Sequence, residues 1–170
     1  MERLKSYIRD IPDFPVKGIV FKDITPLLRD PEAIRLACDA LAAPFRDRGV
    51  TAVCGMEARG FIFGSVLAYL LGVGFVPLRK PGKLPHETES ISYQLEYGIA
   101  TLEIHRDALG PKDRVLMVDD VLATGGTMAA SCRLVEKLGA HVVACAFVVE
   151  LAFLNGRSRL HHEVVSLIQY

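Results

Sequence analysis

The chain has 170 residues, 51% of them hydrophobic and 24% charged, a composition that suits one compact domain and excludes a disordered segment. Lysine plus arginine equals aspartate plus glutamate at 20 each, which argues against nucleic acid or an anionic membrane as a partner. Any phosphate it binds has to be met by a local arrangement of donors.

The opening Met1-Glu2-Arg3-Leu4-Lys5 lacks the apolar run of a signal peptide. Asp30-Pro31-Glu32 reads as a helix start, with Asp30 as cap, Pro31 in the first turn and Glu32 facing the positive end of the dipole. Ile34, Cys38, Leu41 and Phe45 follow at helical spacing, and Pro44 ends or bends that helix. Val50 to Met56 is a short apolar run with β-branched residues, which suits a buried strand. Gly60 to Leu78 carries no charge and is long enough to raise the question of a membrane span. Its glycines divide it into a buried helix, a turn at Leu71-Gly72-Val73-Gly74 and a strand from Phe75 to Leu78.

Between Arg79 and Ala100 the pattern breaks into a polar, turn-rich stretch, Lys80-Pro81-Gly82-Lys83-Leu84-Pro85-His86-Glu87-Thr88. A connection of this length reads as a lid. Arg114 to Val118 is strand-like, Thr127 to Leu138 is a helix closed by Gly139, and His141 to Glu150 is strand again. Val164 to Ile168 adds a last strand. Alternating strands and helices imply an α/β fold with an open, mainly parallel sheet flanked by helices. Cys38, Cys54, Cys132 and Cys145 form no C-x-x-C pair, and the histidines form no H-x-x-x-H. Reduced thiols in a cytosolic protein, with no zinc site, are the expectation.

Val115-Leu116-Met117-Val118-Asp119-Asp120-Val121-Leu122-Ala123-Thr124-Gly125-Gly126-Thr127 holds the most chemistry. Apolar residues deliver two carboxylates to the carboxyl edge of the sheet, where ligands bind in open α/β folds. Gly125 and Gly126 allow close backbone approach, and the following helix presents unpaired N–H groups to a phosphate. Thr124 and Thr127 add hydroxyls, and Thr127 is placed to cap the helix. Asp119 and Asp120 suit vicinal ribose hydroxyls, or a magnesium ion. The combination describes a site for ribose 5-phosphate. A Walker loop is absent, and a dinucleotide fingerprint would place its glycines before the acid.

At these residues the chain resembles the type I phosphoribosyltransferases. Asp119 to Met128, in the form D-D-V-L-A-T-G-G-T-M, is similar to the adenine-using branch of that family. Pro12 to Pro15, Gly18 to Pro26, Glu57 to Phe61, Arg79 to Pro85 and Leu95 to Gly98 extend the likeness over essentially the whole chain. The resemblance implies a single domain over residues 1–170, with a small N-terminal hood (1–30) and a flexible lid loop (80–98). It also implies a homodimer in the cytoplasm. The implied reaction is adenine plus phosphoribosyl pyrophosphate giving AMP and pyrophosphate, with magnesium held mainly through the substrate pyrophosphate.

Carried onto this sequence, the resemblance gives Ala123, Thr124, Gly125, Gly126 and Thr127 to the 5-phosphate, and Asp119 and Asp120 to the ribose. Glu57-Ala58-Arg59 matches the pyrophosphate loop, with a cis peptide that is not before proline. Val20, Phe21, Lys22 and Leu151 match the adenine pocket: the Val20 backbone reads the amino edge, while Phe21 and Leu151 sandwich the ring. Ala123 stands where 6-oxopurine relatives carry an acid directed at the purine N7, which favours adenine. Arg59 and Lys83, with Arg79 from a partner subunit, are expected to neutralise the leaving pyrophosphate while the lid excludes water. Glu96, next to Tyr97 near the end of the lid, is expected to exchange a proton with the purine. A regulator that keeps this fold and binds nucleic acid would want a helix-turn-helix or a basic face, and the chain has neither the length nor the charge.

Overall fold

The computed structural model describes residues 2–95 and 98–170. Elements follow in the order α1 (Glu2–Lys5), β1 (Arg9–Pro12), β2 (Val20–Asp23), α2 (Thr25–Arg29), α3 (Pro31–Ala42), β3 (Ala52–Met56), α4 (Arg59–Leu71) and β4 (Gly74–Leu78). Then come β5 (Thr88–Gln94), β6 (Ile99–His105), β7 (Arg114–Leu122), α5 (Gly126–Lys137), β8 (His141–Glu150) and β9 (Glu163–Gln169).

Five strands form one parallel sheet in the order β4-β3-β7-β8-β9. Strand alternation fills both of its faces. Val53, Leu116, Val118, Ala144, Ala146 and Val148 pack on the side of α3 and α4, with Phe45, Phe63 and Leu67. Ala52, Cys54, Val115, Met117, Cys145 and Phe147 pack on the other side, with Met128, Leu134 and Val135 of α5. Burial on both faces is why these strands read as continuous apolar runs. After β3 the chain moves outward to β4, and after β7 it moves the opposite way to β8. The crevice between the carboxyl ends of β3 and β7 is therefore the topological switch point, where such sheets bind ligands.

The Asp30 carboxylate caps α3 as expected, accepting from the N–H groups of Glu32 and Ala33 at 3.0 and 2.8 Å. The uncharged stretch divides into α4 and β4, and among the described residues no helix is long and apolar enough to cross a membrane. All four cysteines are buried free thiols, and burial pushes Cys38 up to about 11.

Within the stretch expected to be an unpatterned lid (80–98), Thr88–Gln94 is strand β5, which pairs antiparallel with β6 in register from Thr88 opposite His105 to Gln94 opposite Ile99. It packs against α5, where Lys137 reaches Glu89 at 2.6 Å. Its sequence is too polar to stand out as a strand, because a single face meets α5 and only Ile91 and Tyr93 are apolar on it. A second hairpin, β1 with β2, lies between α1 and α2 in the chain.

Candidate active site

β7 runs on through Leu122, so Asp119 and Asp120 lie inside the strand rather than beyond it. Strand geometry sends adjacent side chains to opposite faces, and the two acids have different surroundings. Asp120 is buried and paired with the guanidinium of Arg59, the first residue of α4. That guanidinium also lies 5.5 Å from the centre of the Phe21 ring. Asp119 accepts the Asp120 N–H at 2.9 Å. Its own burial, and then the charge of Asp120, hold its pKa well above the usual carboxylate range.

The turn after β7 opens α5 through Gly125, which has φ 80° and supplies no side-chain cap. Thr127 is therefore not the cap that the sequence suggested. It stands inside the first turn, and its hydroxyl accepts from Tyr93 of β5 at 3.2 Å. No N-cap side chain takes up the first-turn N–H groups of α5. Asp119 and residues 121–128 surround a small cavity of about 90 Å³, with Phe147 behind it.

A larger cavity of about 520 Å³ adjoins it. Val20, Phe21, Lys22, Arg59, Asp119, Asp120, Ala123, Thr124 and Leu151 all line it, so the structure brings together most of the residues expected to bind base and ribose. Four more lining residues had been given no role: Ile19, Leu95 and Val121, within stretches that carry the resemblance, and Leu154. Ile19, Val20 and Leu95 are 45–47% exposed, an apolar wall that none of the described residues covers. The Lys22 ammonium points elsewhere, to Asp10 at 2.7 Å and over the Tyr170 ring at 3.9 Å.

The Glu57–Ala58 peptide is cis, as expected for the loop after β3. Glu57, Ala58, Arg79 and Lys83 do not line the larger cavity. Glu57 instead accepts from the Lys80 N–H at 2.9 Å and from Arg79 Nε at 3.2 Å, within one chain, and these contacts lower its pKa. Arg79 also donates to the Lys83 carbonyl at 3.1 Å. The loops after β3 and β4 are thereby tied together at the edge of the crevice. Glu96 and Tyr97 lie outside the described residues; the hairpin reaches the cavity at Leu95, just before them.

Another support that sequence reasoning missed is the segment after β8. Leu151 donates its N–H to the Leu122 carbonyl at 2.9 Å, and the Gly156 backbone packs against the turn at Ala123 and Gly125. Asn155-Gly156 is a turn dipeptide, but nothing local says what it touches. Buried Glu150 anchors the segment by accepting from Arg157 at 3.0 and 2.5 Å and from Ser166 at 2.5 Å.

A family model described as phosphoribosyl transferase domain matches residues 25–166. The chain belongs to that family. This phosphoribosyl transferase domain is 66% identical to the adenine phosphoribosyltransferase of Nitrosococcus oceani, over 100% of both chains. Among solved structures, adenine phosphoribosyltransferase from Thermoanaerobacter pseudethanolicus is 54% identical, with a TM-score of 0.96 over 99% of each chain. The Saccharomyces cerevisiae enzyme, complexed with an imino-altritol bisphosphate and adenine, is 43% identical, with a TM-score of 0.93 over 98% of this chain and 97% of that one.

Proposed function

We propose that the chain transfers the 5-phosphoribosyl group of phosphoribosyl pyrophosphate to adenine, giving AMP and pyrophosphate in purine salvage. One observation carries this reading. The apolar cavity and the phosphate-type turn share Asp119, Val121, Ala123 and Thr124. A flat base, a diol and a terminal phosphate can therefore lie end to end, as in a nucleoside monophosphate. The likeness to adenine phosphoribosyltransferases along the full chain supports the same substrates.

In this reading Phe21 and Leu151 sandwich the purine, and backbone groups of Val20 read its amino edge. Ala123 offers no carboxylate to the base, which favours a purine without a proton at N7. Asp119 and Asp120 receive the ribose hydroxyls, and the first turn of α5 receives the 5-phosphate. As the C1′–oxygen bond to pyrophosphate breaks and a purine nitrogen bonds to C1′, positive charge grows on the ribose and negative charge on the leaving group. Arg59, Arg79 and Lys83 lie on the side of the loops after β3 and β4, where cations are needed. Arg79 contributes from the partner subunit of the homodimer.

Glu57 and Asp120 are already engaged by arginines, so direct protein ligands for magnesium are few. That donor set fits a cation held chiefly by pyrophosphate and water. The hairpin covers the cavity at Leu95 and excludes water, with Glu96 exchanging the proton of the base. A cytoplasmic homodimer is the form in which we expect the activity.

Product chromatography after incubation with magnesium, phosphoribosyl pyrophosphate and, in turn, adenine, hypoxanthine, guanine and orotate tests the proposal. AMP from adenine alone supports it; turnover of another base with no AMP refutes it.

A further inference from the structure

Spacing along the chain gave no reason to expect a soft-metal ligand set, yet folding assembles one. Cys132 stands on α5, Cys145 on β8 and His162 just before β9, and their ligand atoms lie within 4.8 Å of one another. The two sulfurs are 3.5 Å apart. Two thiolates on a tetrahedral zinc at about 2.3 Å are separated by roughly 3.8 Å, so the pair needs only a small movement to accept one. Both thiols are buried and in no disulfide.

His162 Nε2 lies 2.8 Å from Glu136 Oε1, the histidine–carboxylate contact that fixes a metal-bound imidazole. A cavity of about 540 Å³ is lined by Cys132, Glu136 and His162, giving an entry path and room for a fourth ligand. Arg133 and Arg159 line it too, and a divalent cation on two thiolates carries no net charge against them.

We propose that Cys132, Cys145 and His162 bind one thiophilic divalent cation of the zinc class, with its fourth position facing this cavity. Magnesium, which prefers oxygen, does not compete for it. The cation would tie α5, whose first turn is the phosphate turn, to β8 and to the approach to β9. The site is independent of the proposed transfer reaction and can fail or hold without it.

Full-length protein, stripped with a chelator and kept under reductant, is titrated with cobalt(II). The expected result is a thiolate-to-cobalt charge-transfer band that saturates at one equivalent per chain and is displaced by zinc. Cys132→Ser and His162→Gln should each weaken binding by more than about 100-fold, and Glu136→Gln by about 10-fold. Circular dichroism melts confirm that the variants fold. The surface group His86, His105 and Asp107 has no sulfur and cannot produce that band. No thiolate band in the wild type, or an equal band in folded Cys132→Ser, overturns the proposal.

Discussion

Gly125 and Gly156 meet backbone to backbone beneath the turn that opens α5. A Cβ on Gly125 would stand 2.3 Å from the Gly156 carbonyl oxygen, and a Cβ on Gly156 would stand 2.1 Å from that of Ala123. Neither contact can be relieved by turning a flexible side chain, because both partners are main chain. Gly156→Ala therefore has to push the turn or the segment after β8 aside. A displacement near 1 Å at a binding turn costs on the order of 100-fold, so kcat/KM for phosphoribosyl pyrophosphate should fall by about that factor. Stability should drop by about 1–3 kcal/mol, as for overpacked interiors. Steady-state kinetics and urea melts check the two effects separately, and wild-type values in both would remove Gly156 as a support of the turn.

The same segment is anchored by Glu150, whose carboxylate is 6% exposed while the Arg157 side chain is 43% exposed. The Arg157 hydrogen bond, with further help from Ser166, lowers the Glu150 pKa. A lowered folded-state pKa means that the unfolded chain binds more protons. The contribution is thus fully present above the unfolded value of about 4.3 and is lost as pH falls through the folded one. Arg157→Met should destabilise the protein by about 2 kcal/mol at neutral pH, less than for a fully buried pair because water screens the exposed partner. Melts of wild type and variant should converge as pH is lowered through the depressed folded-state value, below which Glu150 is neutral in both. A gap that stays constant with pH would assign the loss to packing alone.

Much of this architecture is legible in the sequence because its signals are local. β3, β7 and β8 are buried on both faces and read as apolar runs, and Asp30 caps α3 through its immediate neighbours. The acids and small residues from Asp119 to Thr127 are consecutive, so the chemistry of the turn appears in one window. What was hidden depends on residues far apart in the chain. Gly156 matters through Ala123 and Gly125, and Cys132, Cys145 and His162 come from three different elements. The β5–β6 hairpin was obscured by its serines and glutamate, since only one face meets α5. Engagement of Asp120 by Arg59, and of Glu57 by Arg79, also required the fold, because both arginines had been given to the pyrophosphate.

Glu96 follows Leu95, which lines the cavity, and precedes Gly98, whose carbonyl accepts the Leu95 N–H at 2.9 Å. Leu95 thus stands at the cavity, and Gly98 is bonded to it. If Glu96 exchanges a proton with the purine, Glu96→Gln removes a step in the transition state and leaves substrate binding alone. The expected loss in kcat is about 100-fold or more, with affinity for phosphoribosyl pyrophosphate little changed. Single-turnover kinetics beside equilibrium binding separates the two quantities. An unchanged kcat removes Glu96 from the mechanism.

Asp119 and Asp120 are neighbours in sequence, and opposite effects on stability are expected when each becomes asparagine. The raised pKa of Asp119, caused by burial and then by Asp120, means that the folded state resists its ionisation. The group's contribution to stability is present below the unfolded value of about 3.9 and is lost as pH rises through the folded value. Asparagine cannot ionise, so Asp119→Asn should be more stable than wild type at neutral pH, by a margin that grows across that window and is flat above it. Asp120→Asn instead strips Arg59 of its partner and should be less stable at the same pH. Activity should not follow stability. Losing a charge-assisted hydrogen bond of about 1.5–3 kcal/mol at a ribose hydroxyl raises KM for phosphoribosyl pyrophosphate by roughly 10- to 100-fold in Asp119→Asn. In the wild type, kcat/KM should fall on the acid side at a pH above the ordinary carboxylate range, and that limb should vanish in the variant. Differential scanning calorimetry against pH, paired with pH–rate profiles, reads both. An Asp119→Asn protein that is destabilised at neutral pH and keeps the acid limb would show that Asp119 is neither strained by its burial nor the group that receives the ribose.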